Sequence, residues 1–383
     1  MASIKSLRIT FFILAIVMLI PVQTNAGLPK AENLLQKMVQ SDNLLDFEGR
    51  LTLMFQAQSG NQVFEVYVTR KAPDKRRIEI ISPDELYGRG VIINGNENAP
   101  IQPDKTPRFL PPPPFLQPDQ MENMQIHNIQ ILLKNYKVRV LDGGNVAGRN
   151  TYLIEIDPKN SDRPSSKIWV DAEKSIALKT EQYNAKKVLQ RVIAYSTINF
   201  EPVINDTSFQ IPRKFWNNRR PFRRPDREEI WNYIQGKPDL DMIKDKAHFD
   251  IMLPDRIPSG LALQSINIVK IGKDQNIHLK YTDGLTTLSV FQSPIDNMRM
   301  GQRHRDEPPP NQPPPNGPPP PNQRGRIEKV NIQGVNCEVL FRVPVLIFRW
   351  QNKGIYFTLI GELQKKEMIN IASSFIQKEG HAK

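Results

Sequence analysis

Short runs in which every second residue is apolar constrain this chain more than any other feature. Leu51, Leu53, Phe55 and Ala57 alternate with Thr52, Met54 and Gln56, and Phe64, Val66 and Val68 alternate with Glu65, Tyr67 and Thr69. Successive side chains of a strand point to opposite faces, so a period of two means strands with one buried face. The link Ser59-Gly60-Asn61-Gln62 has the composition of a hairpin turn. Further strands are predicted at Arg76 to Ile81, Gly90 to Ile93, Tyr136 to Leu141, Thr151 to Ile156, Lys167 to Val170, Ala177 to Tyr183 and Val188 to Phe200. Together they describe an antiparallel sheet with a polar and an apolar face.

One helix precedes this sheet. Leu34, Leu35, Met38, Val39 and Leu45 recur at near-helical spacing between Ala31 and Leu45. A helix of that length spans ~22 Å, whereas about nine strands lie ~4.8 Å apart. Either the sheet curls around the helix or a cleft remains. Strand alternation selects Leu53, Phe55, Phe64, Val66 and Val68 as candidate lining of that cleft, and each is also an ordinary core residue by type.

Two proline blocks interrupt the pattern. Pro111 to Pro114 are flanked by Phe109, Leu110, Phe115 and Leu116. Proline cannot donate to a sheet ladder, so this is loop or polyproline helix, either a disordered loop or a lid whose apolar flanks lie on the sheet. In the second block, ten of the residues from Pro308 to Pro321 are proline, which reads as a solvated loop.

The rest of the organisation follows from composition shifts. Residues 1–26 read as a cleaved secretory signal: Lys5 and Arg8, the apolar run Ile9 to Ile20, then Thr24-Asn25-Ala26. Twelve apolar residues are short for a membrane anchor, which needs ~20. Residues 27–212 form the sheet domain and 213–246 a basic linker. Residues 247–383 form a second domain of strands and a closing helix from Lys365 to Gln377, with the proline-rich loop at 305–325. The fold class expected is α+β: a curved antiparallel half-barrel wrapped on a helix, plus a smaller C-terminal α+β domain.

Charge and chemistry narrow the function. The formal net charge is +12. In an exported protein this points to anionic lipid, lipopolysaccharide or an acidic protein segment, with no nucleic acid. The linker concentrates it: Arg219, Arg220, Arg223 and Arg224, beside Phe215, Trp216 and Phe222, are either a solvated connector or an anionic docking strip. Cys337 is the single cysteine, read as a buried thiol. No His has a second His or a Cys at zinc-site spacing, Asp239 and Asp241 lack the rest of a calcium loop, and Gly-Xaa-Ser-Xaa-Gly is absent. Gly143 to Gly148 lacks the Lys-Ser/Thr ending of a phosphate loop and lies between strands. The reading is of a binding protein with no catalytic residue, no metal and no cofactor.

Several segments carry a family resemblance. Val146-Ala147-Gly148-Arg149-Asn150-Thr151-Tyr152, Lys167-Ile168-Trp169-Val170-Asp171 and Glu181-Gln182-Tyr183 resemble the repeated features of the lipoprotein-carrier LolA/LolB-like fold. Leu253-Pro254 to Pro258-Ser259-Gly260-Leu261, Tyr281-Thr282-Asp283-Gly284-Leu285 and Leu359-Ile360-Gly361-Glu362-Leu363 resemble features of the second domain of the RseB/MucB periplasmic sigma-factor regulators. The proline blocks and the strength of the basic linker depart from that family. The resemblance implies a periplasmic protein that binds an inner-membrane anti-sigma factor and releases it when lipid, lipoprotein or lipopolysaccharide occupies the cleft. Alternatives are a lipoprotein carrier or sorting factor, and a scaffold displaying its proline loops.

Overall fold

A computed structural model of the chain describes residues 27–383 apart from 58–59, 104–115, 117–125, 127, 161, 212–221, 224–225, 233–238, 248, 272–273, 296–326, 343–344 and 377–383. The signal segment, both proline blocks and Arg219, Arg220 and Arg224 lie outside the described residues.

The alternating runs fold as antiparallel strands: β1 (Phe47–Ala57), β2 (Gly60–Lys71), β3 (Lys75–Ser82), β4 (Gly90–Asn94), β5 (Glu97–Ile101), β6 (Tyr136–Val146), β7 (Arg149–Pro158), β8 (Ser165–Asp171), β9 (Ala177–Tyr183) and β10 (Leu189–Asn199). With the two-residue β11 (Phe222–Arg223) they form one sheet in the order β11-β5-β4-β3-β2-β1-β10-β9-β8-β7-β6. Two meanders join where β1 pairs with β10, setting Leu53 opposite both Phe64 and Ile193, and the sheet stays open between its edge strands β11 and β6. Registers Val66↔Ile80 and Ile78↔Val91 continue the same apolar face outward. β5 was not expected, because Pro100 falls within it. Its pairing with β11 stops at Glu97 and Asn98, so the missing N–H of Pro100 breaks no bond to β11.

The helix α1 (Ala31–Leu44) lies on the inner face. Leu34, Leu35 and Met38 pack with Ile154, Ile156, Ile168 and Val170 of β7 and β8. A second short helix, α2 (Ile129–Asn135), precedes β6; the Asn128 side chain caps it by accepting from the Ile131 N–H at 2.9 Å. Fourteen residues of α1 reach about 21 Å, while eleven strands span about 48 Å. One helix cannot cover that face.

The remaining elements form a second antiparallel sheet: β12 (Asp226–Asn232), β13 (Ala262–Ile271), β14 (Asp274–Thr282), β15 (Thr287–Pro294), β16 (Ile327–Ile332), β17 (Val335–Arg342), β18 (Val345–Asn352) and β19 (Ile355–Gly361), in the order β12-β13-β14-β15-β19-β18-β17-β16. Two helices accompany it, α3 (Leu240–Ala247) and α4 (Lys365–Phe375). Gln364 and Glu367 form a capping box that starts α4. Trp350, Phe357 and Phe375 form its aromatic centre, with the Trp350 and Phe357 rings stacked at 4.9 Å. The 213–246 segment contributes to both sheets, since β11 edges the first and β12 edges the second. The class is α+β.

Candidate functional site

The inner face of the first sheet is filled in one half and open in the other. In the filled half, Leu53, Phe64, Val66 and Val68 are buried in one cluster with Ile78, Ile80 and Val91. Leu116, from the flank of the first proline block, is only 2% exposed and belongs to the same cluster. Phe55 packs against it, partly buried. The five residues selected by alternation therefore face inward, and four of them are closed off in the core. Alternation identifies a face; it does not report what else covers that face.

The open half lies under α1. A cavity of about 160 Å³ is bounded by Met38, Val39 and Asn43 on α1, Phe47 on β1, Ile126, Ile168 on β8, Ile176, Ala177 and Thr180 on and beside β9, and Tyr195 on β10. In size it is close to the ~150 Å³ cavities that take a benzene ring, but it opens to solvent at the α1 edge, where Val39 and Asn43 are exposed, and polar groups share its lining with apolar ones. Phe47 and Tyr195 meet edge to face at 6.0 Å, and Phe47 meets Phe200 at 6.1 Å, which makes one wall rigid and aromatic. Asn43, Thr180 and Tyr195 are the three lining residues that carry uncharged polar side-chain groups; no Asp, Glu, Lys, Arg or His lines the space. None of Leu53, Phe55, Phe64, Val66 or Val68 lines it. Met38 was legible as part of the helical apolar stripe. Phe47, Ile176 and Tyr195 had no sequence signal, because their contribution depends on how the helix sits against the curled sheet.

Of the basic strip, Arg223 is in β11, where its backbone pairs with Glu97. Among the described residues, no group of three or more His, Cys, Asp or Glu is arranged to hold a metal ion, and no helix is long and apolar enough to cross a membrane.

Residues 30–212 match the family model of the MucB/RseB N-terminal domain. This stretch belongs to the MucB/RseB family. The MucB/RseB domain thus contains α1, β1 to β10 and every residue that bounds the cavity. Among solved structures, the chain is similar to MucB in complex with MucA(peri), at 14% identity and TM-score 0.45, covering 90% of this chain and 98% of that one. It is also similar to the Pseudomonas aeruginosa MucA/MucB complex, at 15% identity and TM-score 0.45, covering 90% and 97%. A LolA superfamily protein from Nitrosomonas europaea is similar over 48% of this chain and 98% of its own, at 13% identity and TM-score 0.25. No curated protein matches.

Proposed function

We propose that this protein is an exported, non-enzymatic regulator of the periplasm that holds the periplasmic part of an inner-membrane anti-sigma factor and receives an apolar guest under α1. The observation that carries the reading is the coincidence of the cavity with the MucB/RseB domain: the site is lined mainly by apolar side chains, has no carboxylate, amine, guanidinium or imidazole group, and lies in a family of known regulatory type. Export rests on the composition of residues 1–26. The guest is the acyl chain of a lipid, a lipoprotein or lipopolysaccharide. Each Å² of apolar surface it hides contributes ~25 cal/mol. It loosens the protein partner only by binding the free state better than the complexed one. Arg219, Arg220, Arg223 and Arg224 are proposed to meet an acidic stretch of that partner through charge-assisted bonds.

Calorimetric titration of the mature chain with palmitate, followed by capture of a periplasmic anti-sigma segment encoded beside it, tests the reading. One saturable palmitate site is expected, lost in Ile176→Asp, with capture weakened when palmitate is present. Absence of saturable binding and of capture would sink it.

A further inference from the structure

The three segments that carry the second domain's family resemblance converge on the first domain. Ser259 offers its carbonyl to Arg163 Nη2 at 3.0 Å, and Gly260 offers its carbonyl to Asn135 Nδ2 at 2.8 Å. Asp283 accepts from the Tyr136 hydroxyl at 2.8 Å through its side chain and from Asn135 at 3.0 Å through its carbonyl. Glu362 lies 3.8 Å from Arg191, and Arg163 also reaches Glu367 of α4 at 3.0 Å.

The turn at 282–286 is held rigid and pressed against α2. Asp283 Oδ1 accepts from the Leu285 and Thr286 N–H groups at 3.0 and 2.7 Å, and Thr282 Oγ1 accepts from the Gly284 N–H at 2.9 Å. Gly284 lies so close to α2 that a Cβ there would fall 2.3 Å from the Leu132 nitrogen. Leu285 then enters the first domain's core, in one packed cluster with Leu132, Tyr136, Met38 and Ile168. Met38 and Ile168 are also walls of the cavity. A residue of the turn between β14 and β15 therefore completes the layer that shapes the cavity.

We propose that the Asp283–Leu285 turn is a positioning element of that site, so that seating of the second domain and occupancy of the cavity are energetically coupled. Seated, Leu285 keeps Met38 and Ile168 against the cavity; withdrawn, it leaves space into which both relax, as core side chains partly do around a void. Because binding linkage is reciprocal, a guest that favours the shaped cavity tightens the seating of the second domain. The guest side of this inference rests on the function proposed above; the coupling itself does not.

Two arms on the full mature chain decide it. In the first, Thr180→Met fills the cavity without any ligand, and hydrogen exchange is followed at the Leu285 and Thr286 amides. Exchange is expected to slow by roughly fivefold or more, the lower end of ordinary site-to-site coupling. In the second, Leu285→Ala is titrated with palmitate, and affinity is expected to fall about tenfold although Leu285 does not line the cavity. Should Leu285→Ala fail to fold, Leu285→Val carries this arm. Unchanged exchange in Thr180→Met, or unchanged palmitate affinity in a folded Leu285 variant, overturns the proposal. If the parent chain binds no palmitate, the lipid reading fails alone and the first arm still decides the coupling.

Discussion

Arg149 and Asp171 close the mouth of the β7–β8 hairpin through a forked ion pair. Arg149 donates to the Asp171 carboxylate from both Nε and Nη2, while Asp171 also accepts from the N–H groups of Glu173 and Lys174 at 2.9 and 2.6 Å. The same guanidinium covers the Phe200 ring at 4.9 Å. The arginine and the aspartate of two separate resemblance segments are thus one interaction, which ties the β8–β9 turn to β7 and to the aromatic wall near the cavity.

Burial pushes the Asp171 carboxyl up, but the Arg149 bond and the two backbone N–H groups outweigh it and hold the group below its ordinary value. A carboxyl depressed in the folded state contributes stability above its unfolded pKa, about 3.9, and that contribution is lost as pH falls through the folded value. Arg149→Met leaves a carboxylate that is 1% exposed without its partner, and should cost roughly 3 kcal/mol at pH 7. Urea midpoints from pH 3 to 7 should show a shallower acid dependence in the variant than in the parent.

Tyr136→Phe removes the hydroxyl that bonds Asp283 across the two domains and should cost about 1–3 kcal/mol, because the buried carboxylate loses a donor. Burial first, and the Asp283 charge second, raise the Tyr136 phenol far above its ordinary value. The stability this contributes is complete below about pH 10 and falls as pH rises from there toward the folded value. Thermal melts from pH 8 to 11 should lose less in Tyr136→Phe than in the parent, once the losses shared with Tyr281, also raised by burial, are subtracted.

Gly284 has φ +100° and its missing Cβ would strike the backbone of Leu132, whereas Gly144 has φ +65° and open space around it. Gly144→Ala should therefore cost only the left-handed backbone penalty, about 1–2 kcal/mol. Gly284→Ala should cost that and roughly 2 kcal/mol more from forced displacement of α2. Chemical denaturation of the two variants side by side measures the difference.

Cys337 is fully buried, and burial pushes its thiol up to about 11. Since the thiolate is the reactive form, an aromatic disulfide reagent at pH 8 should label the native chain at least about a thousandfold more slowly than the urea-unfolded chain, the ratio being set by the open fraction. Labelling at equal rates would place the thiol at the surface.

Much of the fold was legible in the residues, and the site less so. Leu53, Phe64, Val66 and Val68 face inward, as their alternation requires, and α1 occupies Ala31–Leu44. The short helix α2 was not read, although Asn128 stands where a cap belongs; seven residues are too few for a periodic signal. The dipeptide Asp283-Gly284 has the composition of a turn, and a turn is what it forms, while its burial against α2 has no signature in the segment itself.

Local sequence determined which faces of the strands and of α1 would be apolar, because side-chain direction repeats every two or 3.6 residues whatever lies elsewhere in the chain. Tertiary structure alone decided which part of that face stays open. Leu116 closes the half around Val66, and Leu285, delivered by a turn of the second domain, braces the half around Met38. Both outcomes depend on groups far apart along the chain filling the same space, and close packing between distant segments leaves no periodic trace.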